Sequence, residues 1–210
     1  MTKWDAQIMV VKREKLFDND YFEGFREHSK VDYESRILQN YKYKIRSQVE
    51  NDPSLKQPVV YLMVTNPIKK KVFVYRRAEQ YQKYPEKRLQ GKWSWGVGGH
   101  VQKLKIKNAN PLFVNLSREL TEEITIKSSI NIKVLGYINN ETDDVGKVHF
   151  GMLYVIEIDA NEVYPKDPEI KEGKLRGINE LEKIVSSPNH IVEEWSRIAI
   201  KPLKKYFSTK

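Results

Sequence analysis

The chain contains no cysteine. Disulfide staples, thiolate metal sites and a cysteine nucleophile are therefore excluded. Apolar runs stay short everywhere, well below the ~18 residues of a membrane-spanning helix. The opening residues Met1-Thr2-Lys3-Trp4-Asp5 lack the apolar stretch of a secretory leader, so the expected location is the cytoplasm. There is no internal repeat and no low-complexity tract. Acidic residues are in deficit: 28 Asp and Glu stand against 37 Lys and Arg, a net charge of +9. That balance favours anionic partners, whether a polyphosphate, a nucleic acid or bulk solvent ions. The 210 residues suffice for one stably packed domain with an extension.

The coarse order of elements is mixed α/β. Strands are expected at 7–11, 59–64, 71–76, 93–97, 132–138, 148–158 and 175–178. The pair 59–64 and 71–76 reads as a hairpin around Asn66-Pro67. Short helices are expected at 33–41 and, capped by Asn179, up to residue 185. A final helix runs over about 190–206, with Ile191, Trp195, Ile198 and Leu203 inward and a kink at Pro202. Residues 79–88 read as a loop. The main helix opens at Asn110-Pro111, with Asn as cap and Pro in the first turn, and buries Leu112, Leu116, Leu120 and Ile124. The segment 41–47 alternates aromatic and basic residues. It reads as packed surface, and its Tyr41, Tyr43, Lys44 and Arg46 would be the stacking platform if a single strand bound.

One stretch of the main helix carries chemistry: Arg118-Glu119-Leu120-Thr121-Glu122-Glu123. Positions i, i+3 and i+4 are helical neighbours, so three carboxylates share one side and repel unless something positive sits there. Hard oxygen donors of this kind suit Mg²⁺ or Mn²⁺; the plainer reading is a solvated glutamate face. Upstream, Trp93-Ser94-Trp95 leads into Gly96-Val97-Gly98-Gly99-His100-Val101. A strand entering a double-glycine turn can bring backbone close to a phosphate or a metal.

Together these parts resemble the Nudix box of the Nudix hydrolases. That box runs Gly, five residues, Glu, seven residues, then Arg-Glu-apolar-x-Glu-Glu-x-Gly-apolar. Its second half matches from Arg118 to Ile126, with Thr125 in place of the glycine. Its first half is longer here. Arg118 lies 19 positions after Gly99, five more than the pattern. The pattern's first Glu falls near Asn110, and no acid lies between Gly99 and Arg118. The basic insert 102–108 reads as a loop. The Gly-Gly-His-Val opening with an insertion is similar to a subgroup of predicted phosphoesterases within the family. So are the flanking segments Asp52-Pro53-Ser54-Leu55-Lys56-Gln57, Val74-Tyr75-Arg76-Arg77, Arg88-Leu89-Gln90-Gly91-Lys92-Trp93 and Val145-Gly146-Lys147-Val148-His149-Phe150-Gly151.

The resemblance implies an α/β/α sandwich with a mixed β-sheet. Residues 53–210 would form the Nudix hydrolase domain, with 1–52 as an N-terminal extension packed on it. It implies metal-dependent hydrolysis of a diphosphate linkage in a nucleoside diphosphate-linked or related small phosphate compound. Mg²⁺ or Mn²⁺ would be held by Glu119, Glu122, Glu123 and the Gly99 carbonyl, with Arg118 orienting the carboxylates. Glu141, Asp143, Asp144 or Glu119 would supply the general base. Arg76, Arg77, Arg88, His100 and His149 are the candidate substrate contacts. The expected partner is a small anionic phosphate compound, with no membrane and no nucleic acid; a homodimer is left open. The alternatives are a Nudix-fold ligand sensor without strong catalysis and a nucleic-acid 5′-end pyrophosphohydrolase.

Overall fold

The computed structural model describes residues 3–79, 89–105 and 108–210. Arg88, most of the expected loop at 79–88 and two residues of the basic insert lie outside that set. The described strands are β1 (Gln7–Lys12), β2 (Gly24–Glu27), β3 (Lys42–Ile45), β4 (Leu55–Asn66), β5 (Lys71–Arg77), β6 (Trp93–Ser94), β7 (Val97–His100), β8 (Ile124–Thr125), β9 (Ile130–Asn139), β10 (His149–Ile158), β11 (Tyr164–Pro165) and β12 (Ile170–Gly177). The helices are α1 (Arg13–Phe17), α2 (Tyr33–Asn40), α3 (Pro111–Glu123), α4 (Asp144–Val148), α5 (Ile178–Ser186) and α6 (Glu194–Ser208). Hydrogen-bonded neighbours in the large sheet run β12-β5-β4-β10-β9-β2, with β1, β3, β6 and β7 attached to it. This is the mixed α/β class that the sequence predicts.

The chain forms two compact units. The first comprises residues 1–61, 98–118 and 134–153. In it β1 pairs antiparallel with β3 and with the start of β4, and β2 pairs antiparallel with β9. Ile8, Val10, Val49 and Leu55 form one apolar cluster. An aromatic group of Phe17, Phe22, Tyr33, Tyr137 and Phe150 forms another, mostly edge to face at 5.0–6.3 Å between centroids. In the segment 41–47 β3 pairs with β1, Tyr41 and Tyr43 are half-buried, Lys42, Lys44, Ile45 and Ser47 are exposed, and Arg46 alone is buried, paired with Glu50 at 3.2 Å and lying over the Trp4 ring.

The second unit comprises residues 62–97, 119–133 and 154–210. The hairpin of β4 and β5 closes at Thr65↔Val72, and β12 pairs antiparallel along the whole of β5. The sequence predicts only the last part of β12, because Lys171, Glu172 and Lys174 interrupt its apolar pattern; pairing with β5 extends the strand. Gly177, rather than Asn179, precedes α5, and its N–H donates to the Glu180 carboxylate at 3.0 Å. Ile191 is 64% exposed, against the expectation that it faces inward. The reason is local: 190–193 lies outside the helix, Val192 bridges Trp93, and the Trp93 N–H donates to the Ile191 carbonyl at 2.8 Å. Val192 takes the inward position, and α6 begins only at Glu194. Among the described residues no helix is long and apolar enough to cross a membrane.

Glu157 ties the end of β10 to α6 and β9. It accepts from Lys133 and Lys210 at 2.8 Å, from Asn131 at 2.7 Å and from the Tyr206 hydroxyl at 2.5 Å. Burial alone would raise its carboxyl. The donors from Lys133, Lys210, Tyr206 and Asn131 outweigh that and hold it far below the usual carboxylate range. A depressed folded-state value means stability that is present above the unfolded value of about 4.3 and lost as pH falls through the folded one. Glu157→Gln is therefore expected to lower the urea midpoint at neutral pH. It should also flatten the acid loss of stability, measured as midpoint against pH.

Candidate active site

Helix α3 forms where Asn110 and Pro111 set its start. The Leu112 N–H donates to Asn110 Oδ1 at 2.9 Å, satisfying a first-turn donor. Leu112, Leu116, Leu120 and Ile124 are all buried, as their spacing predicts. At the far end the pattern's glycine is replaced by Thr125. The helix needs no glycine there because the chain passes directly into β8, where Thr125 pairs with Tyr164. The Glu123 carbonyl accepts from the N–H groups of Lys166 and Asp167 at 2.8 and 3.2 Å, so a last-turn acceptor of α3 is satisfied by the segment after β11.

Glu119 and Glu123 lie one turn apart and are only 7% and 9% exposed, whereas Glu122 faces solvent. Each residue advances about 100° around a helix, which turns Glu122 outward when Glu123 turns in. Arg118 donates to the His100 carbonyl at 3.3 Å and to Asn115 Oδ1 at 3.2 and 3.3 Å. Asn115 is buried and bonds three further backbone groups: the Gln102 N–H and the carbonyls of Gln102 and Pro111, each at 2.9 Å. Asn115 belongs to no motif in the sequence. Its only signal was position, i−3 from Arg118 on the flank of the leucine stripe.

The glycine pair departs from expectation. Gly98 and Gly99 lie within strand β7, beside β4, not in a turn. Gly98 has φ +137°, and a Cβ there would fall 1.9 Å from the Val60 carbonyl oxygen. The absent side chain is used for strand-to-strand approach. Gly99 belongs to the first compact unit and the three glutamates to the second.

The loop acids are committed to local structure. Asp143 caps α4, accepting from the Gly146 N–H at 2.7 Å, and Asp144 pairs with Lys147 at 2.8 Å. Glu141 accepts from Arg13 and, at 2.8 Å, from Lys56. Burial would raise the Glu141 carboxyl, but the hydrogen bonds from Arg13 and Lys56 hold it below its ordinary value. Lys56 is fully buried and also donates to Asn139 Oδ1 and the Gly146 carbonyl at 2.9 Å. Desolvation brings its ammonium down to about 8 despite the Glu141 contact. Arg76 pairs with Glu79. Arg77 pairs with Glu193 at 2.6 Å, and Glu193 in turn accepts from Ser94.

His100 and His149 approach each other directly, Nε2 to Nε2 at 3.0 Å, with His149 5% exposed. His149 Nδ1 donates to the Val145 carbonyl at 2.7 Å, and His100 Nε2 lies 2.8 Å from Gln57 Oε1. Among the described residues, Glu50, His100 and His149 are the one set of three acid or histidine side chains whose donor atoms all lie within 4.8 Å of one another.

No protein-family model matches the chain. Protein YmaB of Bacillus subtilis (strain 168) is 32% identical over 209 residues, covering 95% of this chain and 98% of YmaB. The crystal structure of Tm1382, described as a candidate Nudix hydrolase, superposes with a TM-score of 0.72. Its identity is 26%, over 95% of this chain and 98% of Tm1382. The Nudix domain of Shewanella oneidensis NrtR, solved with ADP ribose, shares the fold at TM-score 0.50 and 12% identity, over 71% of this chain and 87% of that domain. With near-complete coverage in both of the first two comparisons, the chain belongs to the family of Bacillus subtilis YmaB and has the fold of the Nudix hydrolases.

Proposed function

We propose that the protein is a metal-dependent hydrolase of a diphosphate linkage, acting on a nucleoside diphosphate-linked or related small phosphate compound. The observation that carries this reading is the pair Glu119 and Glu123, one turn apart and nearly buried on α3. Their oxygens are the hard donors that Mg²⁺ or Mn²⁺ takes, so the donor set fits the ion. Glu119 and Glu123 would hold it, with exposed Glu122 at the solvent side. Bound there, the metal would neutralise phosphate charge and acidify a water. Arg118 is a positioning residue, fixing α3 through Asn115 and the His100 carbonyl. Glu141 is stabilised as the anion by Arg13 and Lys56 and takes up a proton reluctantly.

The test is a screen of nucleotide-type diphosphates, ADP ribose among them, with Mg²⁺ and with chelator. Cleavage is read as phosphate after phosphatase treatment. Metal-dependent cleavage of at least one compound is expected. Binding without any cleavage would replace the hydrolase by a ligand sensor. Mg²⁺ should also stabilise the fold. An ion bound only by the native state adds RT ln(1 + [L]/Kd), about 2.7 kcal/mol at a hundredfold excess over Kd. Identical melting midpoints in millimolar Mg²⁺ and in chelator would mean that the acidic face is merely solvated.

A further inference from the structure

Glu50, His100 and His149 come from three separate stretches of the first unit: the residues before β4, the end of β7 and the start of β10. Their convergence has three features that solvated surface groups lack. First, the tautomer of His149 is fixed. A carbonyl can only accept, so the Nδ1 that meets Val145 O carries the proton, and Nε2 presents its lone pair to His100. A histidine that donates its far nitrogen to a backbone carbonyl is the usual support of a metal-bound imidazole. Second, the Nε2 atoms are already 3.0 Å apart. Two ligands of a tetrahedral ion with bonds of 2.0–2.1 Å are about 3.3 Å apart, so little motion separates the two arrangements. Third, the surroundings orient the oxygens. Gln57 is buried and donates its Nε2 to the Val49 carbonyl at 3.1 Å, which turns Oε1 toward His100. Arg46 holds the Glu50 carboxylate.

We propose that Glu50, His100 and His149 form a binding centre for a transition-metal ion of the Zn²⁺ class, with Gln57 Oε1 beside the fourth position. Two imidazoles and one carboxylate match the donor preference of Zn²⁺ and Co²⁺, and Mg²⁺ prefers an all-oxygen shell. In the metal-free protein His100 Nε2 can donate to Gln57 or to His149. Metal binding takes the lone pair of His100 Nε2, so the proton on that nitrogen leaves it for Nδ1 or for solvent. Arg46 faces the same carboxylate and moderates the affinity. The centre is distinct in ligands from the α3 glutamates and does not depend on their role.

Co²⁺ is the probe, added to chelator-treated full-length protein in saturating Mg²⁺. A four-coordinate nitrogen–oxygen site gives intense visible bands, and a six-coordinate carboxylate–water site gives weak ones. One equivalent of intense bands is expected, displaced by Zn²⁺. Glu50→Gln and His100→Gln should each weaken Co²⁺ binding about tenfold or more, and Glu123→Gln should leave it unchanged. Circular dichroism in chelator checks that each variant is folded. Should His100→Gln fail to fold, Glu50→Gln carries the test, because it changes a charge and keeps the shape. Absence of intense bands, or bands lost in Glu123→Gln and retained in Glu50→Gln, overturns the proposal.

Discussion

Glu123→Gln is expected to lower turnover about 10²-fold or more, with folding and the circular dichroism spectrum unchanged. Gln keeps the shape of the side chain and removes the negative oxygen. Metal-assisted activation of water and neutralisation of phosphate charge then fail together. Glu123 is the sharpest choice among the three acids because it is nearly buried and its own backbone is pinned at the end of α3 by Lys166 and Asp167. A ligand in that position has few alternative placements. Glu122→Gln should cost less, since that side chain faces solvent. The measurement is steady-state cleavage of whichever diphosphate the screen identifies, at several Mg²⁺ concentrations. A rate equal to wild type in Glu123→Gln would remove the α3 glutamates from the mechanism. A loss recovered at high Mg²⁺ would place Glu123 in metal affinity rather than in the chemical step.

Helix α3 was legible in the sequence because several local signals agree: the Asn110 cap, Pro111 in the first turn and leucines at every fourth residue. The hairpin of β4 and β5 was legible for the same reason, with apolar runs on both sides of Asn66-Pro67. Ile191 and the early part of β12 were not. Each owes its conformation to a partner strand distant in sequence, Trp93 in one case and β5 in the other, and period alone carries no information about that partner. His100 and His149 stand out in the sequence only singly, and nothing in their spacing tells that their rings meet. Glu50 carries no signal in the sequence, and Gln57 stands out only as part of a flanking segment, for the same reason. A convergence of three strand residues and one turn residue becomes visible only when the sheet is assembled. Lys56 shows the limit most plainly. A lysine is ordinarily solvent-exposed, and this one is fully buried because Glu141, Asn139 and two carbonyls collect around it.

Gly98→Ala is expected to destabilise the protein more than substitution at an unhindered glycine. The new Cβ would meet the Val60 carbonyl oxygen at 1.9 Å and its carbon at 2.9 Å, both backbone atoms that cannot rotate away. The backbone adds to this, since φ +137° is a conformation that side-chain-bearing residues rarely adopt. Overpacking costs about 1–3 kcal/mol and such backbone strain about as much again, together a large share of the ~5–15 kcal/mol that holds a domain folded. Gly24→Ala separates the two contributions. Gly24 also has positive φ, +83°, but nothing lies within 4 Å of its would-be Cβ, so it should show the backbone cost alone. The comparison is of urea midpoints at matched slope. A Gly98→Ala midpoint no lower than that of Gly24→Ala would mean that β7 does not lie against β4 at Val60 as described. A much lower one identifies Gly98 as the means by which β7 comes close enough to β4 to carry His100 toward His149.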